Sequence, residues 1–165
     1  MAVGQRRKSM VHKLTEPIAA LEIGGEVGTR AYPDVYCVPL AGRLKRFAVV
    51  FGIKKNGVNL TELKPGAASS EFHFHTRQDE FVYVLEGEPT LVVGHAETIL
   101  ATGHCIGFTA NSEIGHMLVN RAEKPVRVLE IGDRESGDEC HYPRADFGPL
   151  THYLDDSLYG KCLLP

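Results

Sequence analysis

The chain has 165 residues, 43% of them hydrophobic, which suits one domain with its own core and is too short to expect two. A formal net charge of −3 with 24% charged residues gives no electrostatic reason to expect a nucleic-acid partner and no bias toward disorder. No stretch reaches the roughly 18 apolar residues of a membrane helix, and the basic start MAVGQRRKSM lacks the apolar segment of a secretory signal, so no membrane role is expected and the expected compartment is the cytoplasm.

In chain order, residues 1–10 are expected to form a mobile arm. Residues 11–45, broken by Pro17, Pro33, Pro39 and Gly24-Gly25, read as one strand with loops that pack on the domain or on a partner subunit. From Arg46 the texture changes. The runs RFAVVFGI, GVNLTEL, EFHFH, EFVYVLEG, PTLVVG, AETILA, HCIGFT, GHMLVN and VRVLEIG follow one another, rich in valine, phenylalanine and leucine. Turn formers such as Asn56-Gly57, Pro65-Gly66, Gly94 and Thr102-Gly103 separate them. Strands in series with no periodic helix between them predict an all-β barrel or sandwich over residues 46–132. Residues 133–165, polar and holding Pro143 and Pro149, read as a tail draped over that barrel or over a partner. Cys37, Cys105, Cys140 and Cys162 show no paired spacing and are expected to be reduced thiols without a functional role.

The chemistry concentrates in EFHFHTRQDEF. Side chains alternate along a strand, so His73 and His75 share one face and leave Phe74 on the other. If the chain turns through TRQD, the next strand begins at Glu80, and antiparallel pairing is expected to bring its carboxylate to the same point. Two imidazoles and a carboxylate suit a divalent first-row metal. Of the remaining histidines, His116 is the best fourth ligand, because it alternates with Leu118 and Asn120 within a short apolar run, whereas His12, His141 and His152 fall in expected loops and His95 and His104 at turns. Parity along the Glu80 strand turns Val82 and Val84 inward and sends Phe81, Tyr83 and Leu85 to pack behind the sheet. Glu71, two residues before His73, is a candidate partner of the ligands or a carboxylate at the cavity mouth, and Arg77 a weaker candidate for an acidic substrate group. Phe72, Phe74, Phe81 and Phe108 are expected in the core.

These residues resemble the two-part signature of the cupin superfamily. Gly66, His73, His75, Glu80 and Gly87 are similar to its first part, with one extra residue after Gly66. Gly103, His116 and Asn120 are similar to its second part, with Thr109 and Asn111 where the family has proline and glycine, and His104 where it has aspartate. The resemblance implies a double-stranded β-helix, with His73, His75, Glu80 and His116 holding one divalent transition metal per chain (iron, manganese, zinc or nickel), and it implies a homodimer. The whole chain also resembles small single-domain bacterial cupins of unassigned function, which share DEFVYVLEGEPTLV and a tail like GDRESGDECHYPRADF.

Four protein ligands on an octahedral ion leave two positions open, so the expected function is metal-dependent chemistry on a small polar molecule: an oxygenase, an isomerase or a lyase. The other reading is a small-molecule binding or sensing module in which the metal anchors a carboxylate or a sugar.

Overall fold

From Asn56 onward, the short apolar runs separated by turn formers are realised as strands. The computed structural model describes residues 17–27, 42–145 and 150–151. The expected arm at 1–10, most of the N-terminal segment and most of the tail past 145 lie outside the described residues, as do His12, His152, Cys37 and Cys162.

The strands are β1 (Glu26–Val27), β2 (Gly42–Arg46), β3 (Asn56–Leu63), β4 (Phe74–His75), β5 (Glu80–Glu86), β6 (Thr90–Val93), β7 (Ala96–Ile99), β8 (Cys105–Phe108), β9 (His116–Val119), β10 (Val126–Asp133), β11 (Glu139–His141) and β12 (Leu150–Thr151). One sheet has six strands in the order β1-β2-β3-β10-β5-β8. Facing it are two sheets of three strands, β7-β6-β9 and β12-β11-β4. A bridge between His73 and His116 joins those two across β9 and β4, with His73 N–H donating to the His116 carbonyl at 3.1 Å and His116 N–H donating back at 2.8 Å. The result is a predominantly β jelly roll in two layers, as the sequence predicts. Val84, Val126, Val128, Leu63, Leu91 and Leu118 meet between the layers as the apolar core, and burying each such side chain is worth about 1.5–3 kcal/mol.

The run RFAVVFGI departs from expectation. Arg46 ends β2, and Phe47–Phe51 form a short helix, α1, instead of continuing the strand. Gly52 closes it in the left-handed region at φ 69°, its N–H turned back to the Val49 carbonyl. Ala48 is fully buried, so packing of this turn outweighs the strand preference of Val49 and Val50.

Parity along β5 places Val82 and Val84 inside, yet Phe81, Tyr83 and Leu85 do not pack behind the sheet as expected. They stand on its outer face at 38%, 38% and 43% exposure. A six-stranded sheet with one layer against it has one covered face, so the second row of side chains remains outside.

The stretch expected to drape over the domain instead enters it. β11 pairs with β4, Cys140 opposite His75 and His141 opposite Phe74, and Asp138, Cys140 and Tyr142 are buried. Beyond them Arg144 lies 3.7 Å over the Phe72 ring and donates to the Gly94 carbonyl at 2.7 Å. A Cβ at Gly115 would run into that same ring, so glycine is required next to His116.

Candidate metal centre

A cavity of about 270 Å³ opens between the layers, lined by His73, His75, Glu80, Phe108, His116, Glu130 and Cys140 among others. The ladder pairs β5 with β10 and β8, and β4 with β11. Glu80 therefore reaches the histidines across the interior, from the opposite layer, and not from a neighbouring strand as the sequence suggested.

The four side chains meet. Glu80 Oε2 lies 2.8 Å from His116 Nε2 and 3.5 Å from His73 Nε2, and Glu80 Oε1 lies 3.7 Å from His75 Nε2. The ring centroids of His73 lie 5.2 Å from those of His75 and 4.8 Å from those of His116. Donor atoms about 2.1 Å from a shared cation would stand apart by comparable distances.

The other ring nitrogens decide what faces Glu80. His73 Nδ1 lies 2.8 Å from the Glu71 carbonyl oxygen and 3.1 Å from the Ser70 hydroxyl. A carbonyl only accepts, so Nδ1 carries the proton and Nε2 turns a lone pair inward. His75 Nδ1 donates in the same way to Asp138 Oδ2 at 2.6 Å. Two lone pairs aimed at a carboxylate require a positive charge between them: a proton in the metal-free protein, a metal ion in the loaded one. That requirement is the fit of these residues to a metal. His116 is held otherwise. Its ring stacks on Phe108 with centroids 3.6 Å apart and planes 2° from parallel, while its buried Nδ1 has no hydrogen-bond partner.

Ionisation follows the same geometry. Burial alone would raise Glu80, but hydrogen bonds from His116 and His73 hold its carboxyl well below the usual range. Burial works to lower His73, yet the adjacent Glu80 carboxylate prevails and its affinity for a proton rises. At His116 burial wins and its proton affinity falls, with Glu80 opposing and His73 and His75 adding to the fall.

Asp138 organises the approach to this set. Besides His75 it accepts the backbone N–H of Arg77 at 2.8 Å and of Gln78 at 3.2 Å, fixing the turn between β4 and β5. These bonds outweigh its burial and keep it ionised, its carboxyl below the ordinary range. On the far side, the N–H of Asn111 donates to the His75 carbonyl at 2.8 Å. Asn111 sits at φ 57°, a conformation that asparagine tolerates far better than most residues and that glycine takes readily.

Other candidates have other positions. Arg77 points its guanidinium at the Ser136 carbonyl, 3.3 Å away, and is absent from the cavity lining. Glu71 contributes its carbonyl to His73, and its carboxyl is likewise absent from the lining. Asn120, fully buried, donates to the carbonyls of Leu63 and Lys124 and accepts from Ala122, so it braces the turn after β9. Val82 and Leu118 line the cavity as apolar wall, and Val84 lies in the core. His95 and His104 are exposed, and His141 stacks on Phe74 away from the centre.

Two cavity residues escaped the sequence reading. Glu130 on β10 lines the cavity with one oxygen accepting from Thr61 Oγ1 at 2.5 Å, and burial pushes its carboxyl up to about 7. The sequence signal was parity: Glu130 falls in step with the buried Val126 and Val128. Cys140 is the other. Its thiol, raised by burial, joins His73 and His75 in a second group of ligating atoms that all lie within 4.8 Å of one another, overlapping the group of His73, Glu80 and His116.

Imidazoles and a carboxylate gathered between the layers of a small β jelly roll define a protein built around a candidate metal centre. Residues 59–132 match the family model described as Cupin domain. Along 79% of this chain and 83% of the other, the structure is similar to a sugar phosphate isomerase from a cupin superfamily of Silicibacter pomeroyi DSS-3, with 33% identity and a TM-score of 0.75. A putative sugar phosphate isomerase from Acidithiobacillus ferrooxidans is 30% identical over 64% of this chain and 67% of that one, with a TM-score of 0.61. The polyketide cyclase RemF from Streptomyces resistomycificus shares the fold at 16% identity, over 88% of this chain and 91% of that one, with a TM-score of 0.59. No curated protein matches the chain. The chain belongs to the cupin superfamily.

Proposed function

We propose that the protein is a metal-dependent isomerase acting on a small phosphorylated sugar. The observation that carries this reading is Glu130, a carboxyl in the same cavity as the donor set and outside it, with a proton affinity near neutrality. Moving a carbonyl between neighbouring carbons through an enediol uses one group that takes a proton from the first carbon and returns it to the second. Burial raises its proton affinity toward neutral pH, and a carboxyl so raised can take up a proton and give it back, as that shuttle requires. Thr61 holds one of its oxygens in place. A divalent ion held by His73, His75, Glu80 and His116 would polarise the substrate's oxygens. Arg46 and Arg134 line the same cavity and bring positive charge for a phosphate group. Two relatives bearing the name sugar phosphate isomerase, at 33% and 30% identity, support the substrate class. Oxygen activation at the same donors would not require Glu130, which puts isomerisation ahead of the oxygenase expectation.

The test is metal-loaded protein, incubated in deuterated water with a panel of aldose and ketose phosphates. Interconversion with deuterium entering at the carbon next to the carbonyl is the expected result, and Glu130→Gln should suppress it. Tight sugar-phosphate binding with neither interconversion nor exchange would leave a binding module in place of an enzyme.

A further inference from the structure

The cavity contains more donors than one ion needs, and they are of two kinds. On one side stand Glu80 and His116, oxygen and nitrogen; on the other stands the sulfur of Cys140, and His73 belongs to both groups. Cys140 is 1% exposed and lies directly across the ladder from His75, so its side chain shares the inward face of that ligand. Since Nδ1 of His73 and Nδ1 of His75 are held by Glu71 and Asp138, the nitrogen that each ring turns toward Glu80 is Nε2.

We propose that His73, His75 and Cys140 form a second, overlapping site for thiophilic divalent ions, of which zinc is the type, and that the cavity thereby sorts metals by softness. Thiolate favours zinc and its like and carboxylate suits manganese, while the shared imidazoles serve zinc and ferrous iron alike, so the sulfur and the carboxylate make the difference. Shared histidines make the two occupancies exclusive. An ion that moves to the sulfur leaves Glu80 and His116, so the soft-metal form has a different donor set and a different open face. Binding there breaks the S–H bond and forms a sulfur–metal bond. The proton passes to solvent and no electrons change hands.

Metal choice at these donors is independent of whether the protein isomerises a sugar phosphate. The test uses the purified full chain, stripped of metal, with cobalt(II) as the spectroscopic probe and manganese(II) as the hard ion. Cobalt should give the near-ultraviolet thiolate charge-transfer absorption in the wild-type protein and lose it in Cys140→Ser. Zinc affinity should fall by about 100-fold or more in that variant, while manganese affinity, which also reports that the variant is folded, stays within about twofold. Cys140→Ala should behave the same way. Cobalt bound without the thiolate absorption, or zinc held equally tightly by wild type and Cys140→Ser, overturns the sorting site alone. Failure of the wild-type protein to bind manganese as well would overturn the metal centre itself.

Discussion

The two walls of the cavity divide the chemistry between them. The six-stranded sheet contributes carboxylates, Glu80 from β5 and Glu130 from β10, whereas the opposite layer contributes His73, His75, His116 and the thiol of Cys140. Neither wall alone offers both the imidazoles and the carboxylate. The site exists when the layers pack, so an ion bridging Glu80 to the histidines ties one sheet to the other, and metal binding adds to folding stability.

The largest test of that division is to remove a donor from the imidazole wall. His75→Ala should weaken metal binding by more than about 100-fold, beyond what loss of a supporting partner does. In the wild type, manganese at about 100 times its dissociation constant should stabilise the fold by about 2.7 kcal/mol. Calorimetry should show that increment vanish in the variant, and an unchanged increment would remove His75 from the donor set. On the carboxylate wall, Glu130→Gln should lower turnover by about 100-fold or more with metal content intact, separating the proton shuttle from the metal donors. Loss of metal together with activity would place Glu130 among the ligands.

The same residue sharpens the comparison through pH. Burial raises Glu130 from 4.5 to about 7. Below about 4.5 the carboxyl is protonated in both folded and unfolded chains and has no effect. As pH rises toward 7 the unfolded chain ionises first, and folding stability is lost, by about 3 kcal/mol once pH exceeds 7. In metal-free protein, denaturant titrations of Glu130→Gln should lack this decline and should match the wild type at low pH. Smaller still is Asp138→Asn, which keeps the shape of the contact to His75 and removes its charge. Metal affinity should fall about 10- to 100-fold, with the ion's electron paramagnetic resonance signature retained. Unaltered affinity would reduce Asp138 to a brace for the backbone of the β4–β5 turn.

Where one face of a strand is buried and the other wet, the sequence announces it. β3 and β5 through β10 lie where apolar runs and turn residues put them, and His73 and His75 share a face because two-residue periodicity leaves no alternative. What periodicity leaves open is which strands become neighbours. Sequence alone therefore sets Glu80 beside the histidine strand, whereas the sheets place it across the cavity from it. Phe47–Phe51 are apolar in sequence without a period, so burial of Ala48 decided between helix and strand. Asp138 and Cys140 were hidden by their surroundings. A three-residue strand inside a polar stretch gives one cycle of alternation, too little to separate from a loop.

The bridge between His73 and His116 is made by the main chains of two donor residues, and it is the join between the two smaller sheets. Cation occupancy therefore has a backbone reporter. Amide protons at positions 73 and 116 should exchange with solvent deuterium more slowly when an ion fills the cavity, so isotope labelling could follow loading residue by residue without any chromophore.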